Sequence, residues 1–112
     1  WCVENNVPIF PGIATPTDLE LALEYDLNVV KFYPAEAFGG VRTLKAFSGP
    51  YGEVRFIPTG GINARNLVDY LQLSNVLACG GSWMVNPELL RESRWSEVAR
   101  LTAKALKSVS FQ

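Results

Sequence analysis

Lys31 stands inside the apolar run Val29-Val30-Lys31-Phe32-Tyr33. A charged side chain there costs free energy unless it is paired, discharged or led out to water. Side chains alternate along a strand, so Val29, Lys31 and Tyr33 share one face and Val30 and Phe32 the other. A lysine whose stem lies among apolar groups can lose its proton through desolvation or a neighbouring cation. The neutral amine can then attack a ketone and form a Schiff base. The resulting iminium draws electrons from the adjacent carbon and stabilises the carbanion or enamine left when a carbon–carbon bond breaks. The competing reading is a lysine that snorkels at a strand end, or pairs with Glu36 or Glu53. The pattern alone leaves both open. Lys45, Lys104 and Lys107 lie between polar neighbours on expected helices and read as solvated.

A second set of residues points to an anion. Thr59-Gly60-Gly61 and Gly80-Gly81-Ser82 follow two consecutive apolar segments. Glycines let backbone N–H groups converge on a small volume, helix ends leave such donors free, and Thr59 and Ser82 add hydroxyls. In barrels, the loops after the last two strands often hold phosphate. Each glycine pair can also be no more than a tight turn. The chain has neither GxGxxG nor GxxxxGK[ST], so dinucleotide and P-loop fingerprints are absent.

The elements that must position these groups alternate between strand and helix. Residues 7–10, 29–33, 53–57 and 76–79 read as four short strands. Thr15-Pro16 opens the first helix, with Thr15 as cap, Pro16 in the first turn and Asp18 adding favourable charge. Val41, Leu44 and Phe47 predict a second helix, ended by Gly49-Pro50. Asn63 caps a third, with Leu67, Tyr70 and Leu71 inward, and Asn75 ends it. Asn86-Pro87 opens a short helix. A longer one begins near Ser93, with Trp95, Val98, Leu101, Ala105 and Val109 as its buried stripe. Apolar strands in βα units of about twenty residues suit a parallel sheet and a (β/α)₈ barrel. Four strands cannot close a barrel, which normally needs about 250 residues. Together with a start at Trp1 and an apolar segment soon after, this predicts that residues 1–112 are half of one barrel domain.

Composition narrows the partners. The 112 residues are 48% hydrophobic and 19% charged, with net charge -1, so the chain is globular and nothing points to nucleic acid. It has no histidine and two distant cysteines, Cys2 and Cys79, so no metal set is expected. The same usage predicts a reducing, cytoplasmic setting, with Cys79 as an apolar filler and no disulfide. No apolar run is long enough to span a bilayer.

With these residues in view, VVKFYPAEAFGG (29–40), VRFIPTGGI (54–62) and VLACGGSWMV (76–85) resemble the second half of the bacterial 2-keto-3-deoxy-6-phosphogluconate (KDPG) and 4-hydroxy-2-oxoglutarate aldolases. PIFPGIATPTDL (8–19) extends the resemblance towards the start. It implies a (β/α)₈ TIM barrel, of which this chain is the last four βα units, and a homotrimer when complete. It implies a metal-independent, cofactor-free Schiff-base aldolase. Such an enzyme cleaves 2-dehydro-3-deoxy-6-phospho-D-gluconate to pyruvate and D-glyceraldehyde 3-phosphate in the Entner–Doudoroff route, and 4-hydroxy-2-oxoglutarate to glyoxylate and pyruvate. The alternatives are the related phosphogalactonate aldolase and a non-catalytic phosphate-binding barrel half. The resemblance places the Schiff-base amine on Lys31 and the phosphate seat on Thr59, Gly60, Gly61, Gly81 and Ser82. Phe32, Tyr33 and Pro34 match the wall around the lysine. The family's acid/base glutamate, and the arginine and threonine that hold the pyruvyl carboxylate, correspond to positions before Trp1. Glu36, in the loop beyond the strand, does not replace that glutamate. The missing N-terminal half of the barrel is therefore the expected partner.

Overall fold

A computed structural model describes residues 1–109 of the chain. Three parallel strands, β1 (Gly12–Ile13), β2 (Val29–Phe32) and β3 (Arg55–Pro58), form a sheet in that order. Helices α1 (Pro16–Glu24) and α2 (Gly40–Phe47) connect them, and α3 (Leu67–Leu71) follows β3. A 3-10 turn at Glu36–Phe38 precedes α2, and another at Trp83–Val85 precedes α4 (Pro87–Arg91) and α5 (Trp95–Val109).

The helices start where their caps dictate. Thr15 caps α1, its hydroxyl accepting from the Asp18 N–H at 3.3 Å, while the Asp18 carboxylate accepts from the N–H groups of Ala14 and Thr15 at 2.9 Å each. This capping box satisfies donors that the first helical turn leaves over. Asn86 caps α4 with a single bond, accepting from Glu88 N–H at 2.9 Å.

The sheet has two unlike faces. Ile13, Val30, Phe32, Phe56 and Pro58 point to one side and are buried. Leu19 and Ala22 of α1, Leu44 and Phe47 of α2, and Leu67 and Tyr70 of α3 belong to the same core. Phe47 stacks on Phe56 with centroids 5.9 Å apart and meets Phe32 edge-on at 6.2 Å. Full burial of each such ring favours folding by about 1.5–3 kcal/mol. Gly12, Lys31 and Arg55 occupy the other, open face.

Several expected element positions change, the third strand moving from 53–57 to Arg55–Pro58 among them. The first strand lies at Gly12–Ile13 rather than 7–10: Lys31 N–H donates to Pro11 O at 2.8 Å and Tyr33 N–H to Ile13 O at 3.1 Å. Pro8 has no N–H to give a ladder, and Val7, Ile9 and Phe10 stay exposed. The fourth segment, 76–79, runs beside β3 but makes one isolated parallel bridge to it, Phe56 to Val76, with a second just beyond both, Thr59 to Gly80. Pro58 cannot donate between them, so a regular ladder is broken there. The third helix begins at Leu67, not beside Asn63. Asn63 and Asn66 first build a turn, with Asn63 N–H donating to Asn66 Oδ1 at 2.8 Å.

The stripe expected on α5 is only partly covered. Val98, Leu101, Ala105 and Val109 are half-buried and Trp95 is exposed, because α5 packs on α3, α4 and the Trp83–Val85 turn rather than on the sheet. Both cysteines are free thiols. Among the described residues no helix is long and apolar enough to cross a membrane, and no group of three or more His, Cys, Asp or Glu could hold a metal ion.

Candidate active site

The C-terminal ends of β2 and β3 and the segment after Cys79 surround a hollow of about 490 Å³. Lys31, Tyr33, Thr59, Gly60, Gly61, Gly81 and Ser82 line it, joined by Ile62 and Gly80. The nucleophile candidate and the five proposed phosphate-seat residues thus share one concavity. The Lys31 ammonium lies 5.1 Å from the centroid of the Tyr33 ring, a cation–π geometry. Lys31 makes no ion pair among the described residues, so neither Glu36 nor Glu53 holds it.

Lys31 also borders a second hollow, of about 290 Å³, with Gly12 and Asp18. Gly12 is the strand neighbour of Lys31, and the space where its Cβ would stand is empty to beyond 4 Å. The amine therefore sits between two openings, one towards the glycine loops and one towards the N-terminus of α1. Asp18 is no free acid in that second opening. The N–H groups of Ala14 and Thr15, then the Thr15 hydroxyl, hold its carboxyl below the usual range.

The glycine loops owe their shape to φ values that other residues resist. Gly60 and Gly61 have φ of 92° and 82°. A Cβ on Gly60 would stand 3.1 Å from Pro34 Cα and from the Tyr33 ring. Among the described residues, no hydrogen bond takes up the N–H of Gly61, Gly81 or Ser82. Thr59 Oγ1 is buried with no hydrogen-bond partner. Uncommitted donors and a hydroxyl beside one concavity are what an anionic oxygen cluster requires.

The wall departs from expectation. Tyr33 lines the hollow, but Phe32 points through the sheet into the core, fully buried, because strand residues alternate. Pro34 follows a cis Tyr33–Pro34 bond and backs Gly60 from behind. Gly12 lies outside the set that the sequence pattern singles out, whereas Gly80 belongs to the expected Gly80-Gly81-Ser82 loop. The residue facing Lys31 across the β1–β2 ladder was hidden by the misplaced first strand. A third hollow of about 500 Å³ between α5 and residues 76–84 is lined mainly by apolar side chains, with the Cys79 thiol pushed up to about 11 by burial. It holds none of the charged groups.

The family profile described as KDPG and KHG aldolase matches residues 1–101. A 2-dehydro-3-deoxy-phosphogluconate aldolase of Haemophilus influenzae is 46% identical over 105 residues, covering 94% of this chain and 50% of that protein. Among solved structures, a KDPG aldolase from Legionella pneumophila, with pyruvate captured at low pH as a covalent carbinolamine intermediate, superposes with TM-score 0.82 at 44% identity. That match covers 85% of this chain and 46% of the Legionella chain. The Zymomonas mobilis aldolase with 3-phosphoglycerate superposes with TM-score 0.80 at 34% identity, over 99% of this chain and 50% of its own. The chain spans about half the length of the curated relatives it matches.

Proposed function

The chain belongs to the KDPG and KHG aldolase family, and from that premise we propose that residues 1–112 are the last four βα units of a (β/α)₈ barrel whose Lys31 is the Schiff-base nucleophile. The carrying observation is the shared hollow: one exposed, unpaired lysine beside loops with free backbone donors. The carbinolamine captured in the Legionella enzyme supports amine chemistry on pyruvate, and 3-phosphoglycerate in the Zymomonas enzyme supports an anion seat. The substrate is 2-dehydro-3-deoxy-6-phospho-D-gluconate, with 4-hydroxy-2-oxoglutarate as a second.

The Lys31 amine attacks the C2 ketone, and the carbinolamine loses water to give an iminium. The C3–C4 bond then breaks. Its electron pair moves into an enamine on the pyruvyl fragment, while the C4 hydroxyl gives up a proton and becomes the aldehyde of glyceraldehyde 3-phosphate. The enamine takes a proton at C3, and water hydrolyses the iminium to release pyruvate and free Lys31. Gly60, Gly61, Gly81 and Ser82 hold the distal phosphate, so that binding energy there orients the breaking bond. Thr59 adds its hydroxyl.

The proton shuttle lies outside this set. Glu36 does not line the hollow, and its carboxylate is taken by Tyr70. Asp18 is committed to the α1 cap. A positioned acid/base group is worth about 10²–10⁴-fold, so these residues need the remaining barrel half for full turnover. That half would cover the open sheet face around Lys31. The complete protein would be a cytoplasmic homotrimer, as the family resemblance implies, and light scattering measures that assembly.

The test is cleavage of the phosphogluconate substrate and its galacto epimer by the full-length protein, with pyruvate release coupled to its reduction. Cleavage abolished by Lys31→Ala, with preference for the gluconate form, is expected. Preference for the epimer selects the galactonate enzyme. Unchanged turnover in Lys31→Ala removes the mechanism.

A further inference from the structure

Glu36 joins the strand that carries the lysine to the helix behind the phosphate loop. Its backbone N–H donates to Gly60 O at 3.1 Å, next to an Ala35 N–H bond to Thr59 O at 2.8 Å. Its carboxylate Oε1 accepts from the hydroxyl of Tyr70, on α3. Tyr70 is fully buried, and burial, followed by the Glu36 hydrogen bond, raises its phenol well above the usual range, so it stays a donor.

The space for this link is made by two glycines. A Cβ on Gly61 would stand 2.5 Å from Glu36 Cγ and 2.7 Å from its Cβ, and one on Gly40 would stand 2.8 Å from Oε1 and 2.6 Å from the Tyr70 hydroxyl. Both glycines have positive φ, 56° at Gly40 and 82° at Gly61. The Glu36 stem therefore packs directly against the turn that presents Gly60 and Gly61 to the hollow. A carboxylate committed to a buried phenol is no shuttle, and its place behind the loop gives it a different role.

We infer that Glu36 and Tyr70 form a positioning pair that fixes the Gly60-Gly61 anion loop relative to the Lys31 strand. This rests on the proposed reading of the loop as a phosphate seat. Without the link, the loop keeps its glycines but loses the contact that sets its distance from the amine. The loss falls on the phosphorylated end of the substrate and spares the attack of Lys31 on unphosphorylated pyruvate.

The test compares Tyr70→Phe, Glu36→Ala and Glu36→Gln. In the full-length protein, the amide shifts of Gly61 and Ser82 are followed during titration with inorganic phosphate and with 3-phosphoglycerate. In the full-length protein, KM and kcat for the phosphorylated substrate are measured beside the rate of borohydride-trapped pyruvate adduct. Tyr70→Phe and Glu36→Ala are expected to weaken phosphate binding and raise KM about tenfold, the scale of one lost hydrogen bond to a charged group. Pyruvate trapping stays within about twofold, a difference too small to count as a lost interaction. Glu36→Gln, which keeps an acceptor, restores most of the binding. Should Glu36→Ala not fold, Tyr70→Phe removes only one hydroxyl and carries the test. Unchanged phosphate affinity in Tyr70→Phe overturns the inference, as does an equal loss of pyruvate trapping. A full-length parent protein that binds phosphate without trapping pyruvate refutes the aldolase mechanism and leaves the pair to be judged by the amide titration. A full-length parent protein that shifts with neither anion overturns the seat and the pair together.

Discussion

Gly61 and Gly12 lie on opposite sides of Lys31 and should respond to alanine with opposite sign. At Gly61, φ is 82°, a region that costs an L-residue roughly 1–2 kcal/mol. The new methyl would also press on Glu36 Cγ at 2.5 Å and Cβ at 2.7 Å. These atoms lie near the backbone of Glu36, so the side chain cannot simply swing aside. Such overpacking adds about 1–3 kcal/mol, giving a total of about 2–5 kcal/mol. At Gly12, nothing lies within 4 Å of the added carbon and no positive φ is required. Removing backbone freedom from a strand glycine there should stabilise by about 0.5–1 kcal/mol. The assay is equilibrium urea unfolding of the 112-residue chain followed by far-ultraviolet circular dichroism. With a slope of about 1–3 kcal/mol/M, Gly61→Ala should lower the midpoint by about 1 M or more, while Gly12→Ala should raise it by a few tenths. Equal midpoints for the two variants would refute the argument from loop geometry. So would a fall in Gly12→Ala as large as that in Gly61→Ala.

The α1 cap gives a stability and a pH prediction. Thr15→Ala should cost about 1 kcal/mol in the same unfolding assay, and an unchanged midpoint would count against the capping box. Asp18 is held below its ordinary value of 3.8 in the folded chain, so its contribution is present above that value and lost as pH falls through the lower folded value. Asp18→Asn should therefore flatten the acid limb of the stability curve below about pH 4; an acid limb identical to the parent's would contradict it. Cys79, its thiol raised to about 11 by burial, should alkylate with iodoacetamide at pH 8 much more slowly than free glutathione, read by peptide mass mapping. Labelling as fast as glutathione would place Cys79 at the surface.

What the residues announced and what they hid divide along range of interaction. Lys31 was visible because one charge interrupts an apolar strand, and the loops because Gly60-Gly61 and Gly80-Gly81 recur at matching places. The α1 cap was visible because Thr15, Pro16 and Asp18 act on their own backbone. The location of β1 was not, because Val7 and Ile9 have strand-like side chains while pairing was decided by Lys31 and Tyr33, twenty residues on. Phe32 could have faced either side until the register Ile13–Phe32–Pro58 placed it in the core. The Glu36–Tyr70 link joins residues 34 apart, and only packing around Gly40 and Gly61 brings them together. The break beside Pro58 was legible in principle, since a proline at a strand end withholds a donor from its next neighbour.

The central claim is that the Lys31 amine is the covalent nucleophile. Full-length protein incubated with pyruvate, reduced with borohydride and digested should carry the reduced adduct on the peptide containing Lys31. Lys31→Ala should carry none. An adduct on Lys45, or no adduct in the parent protein, would contradict the account.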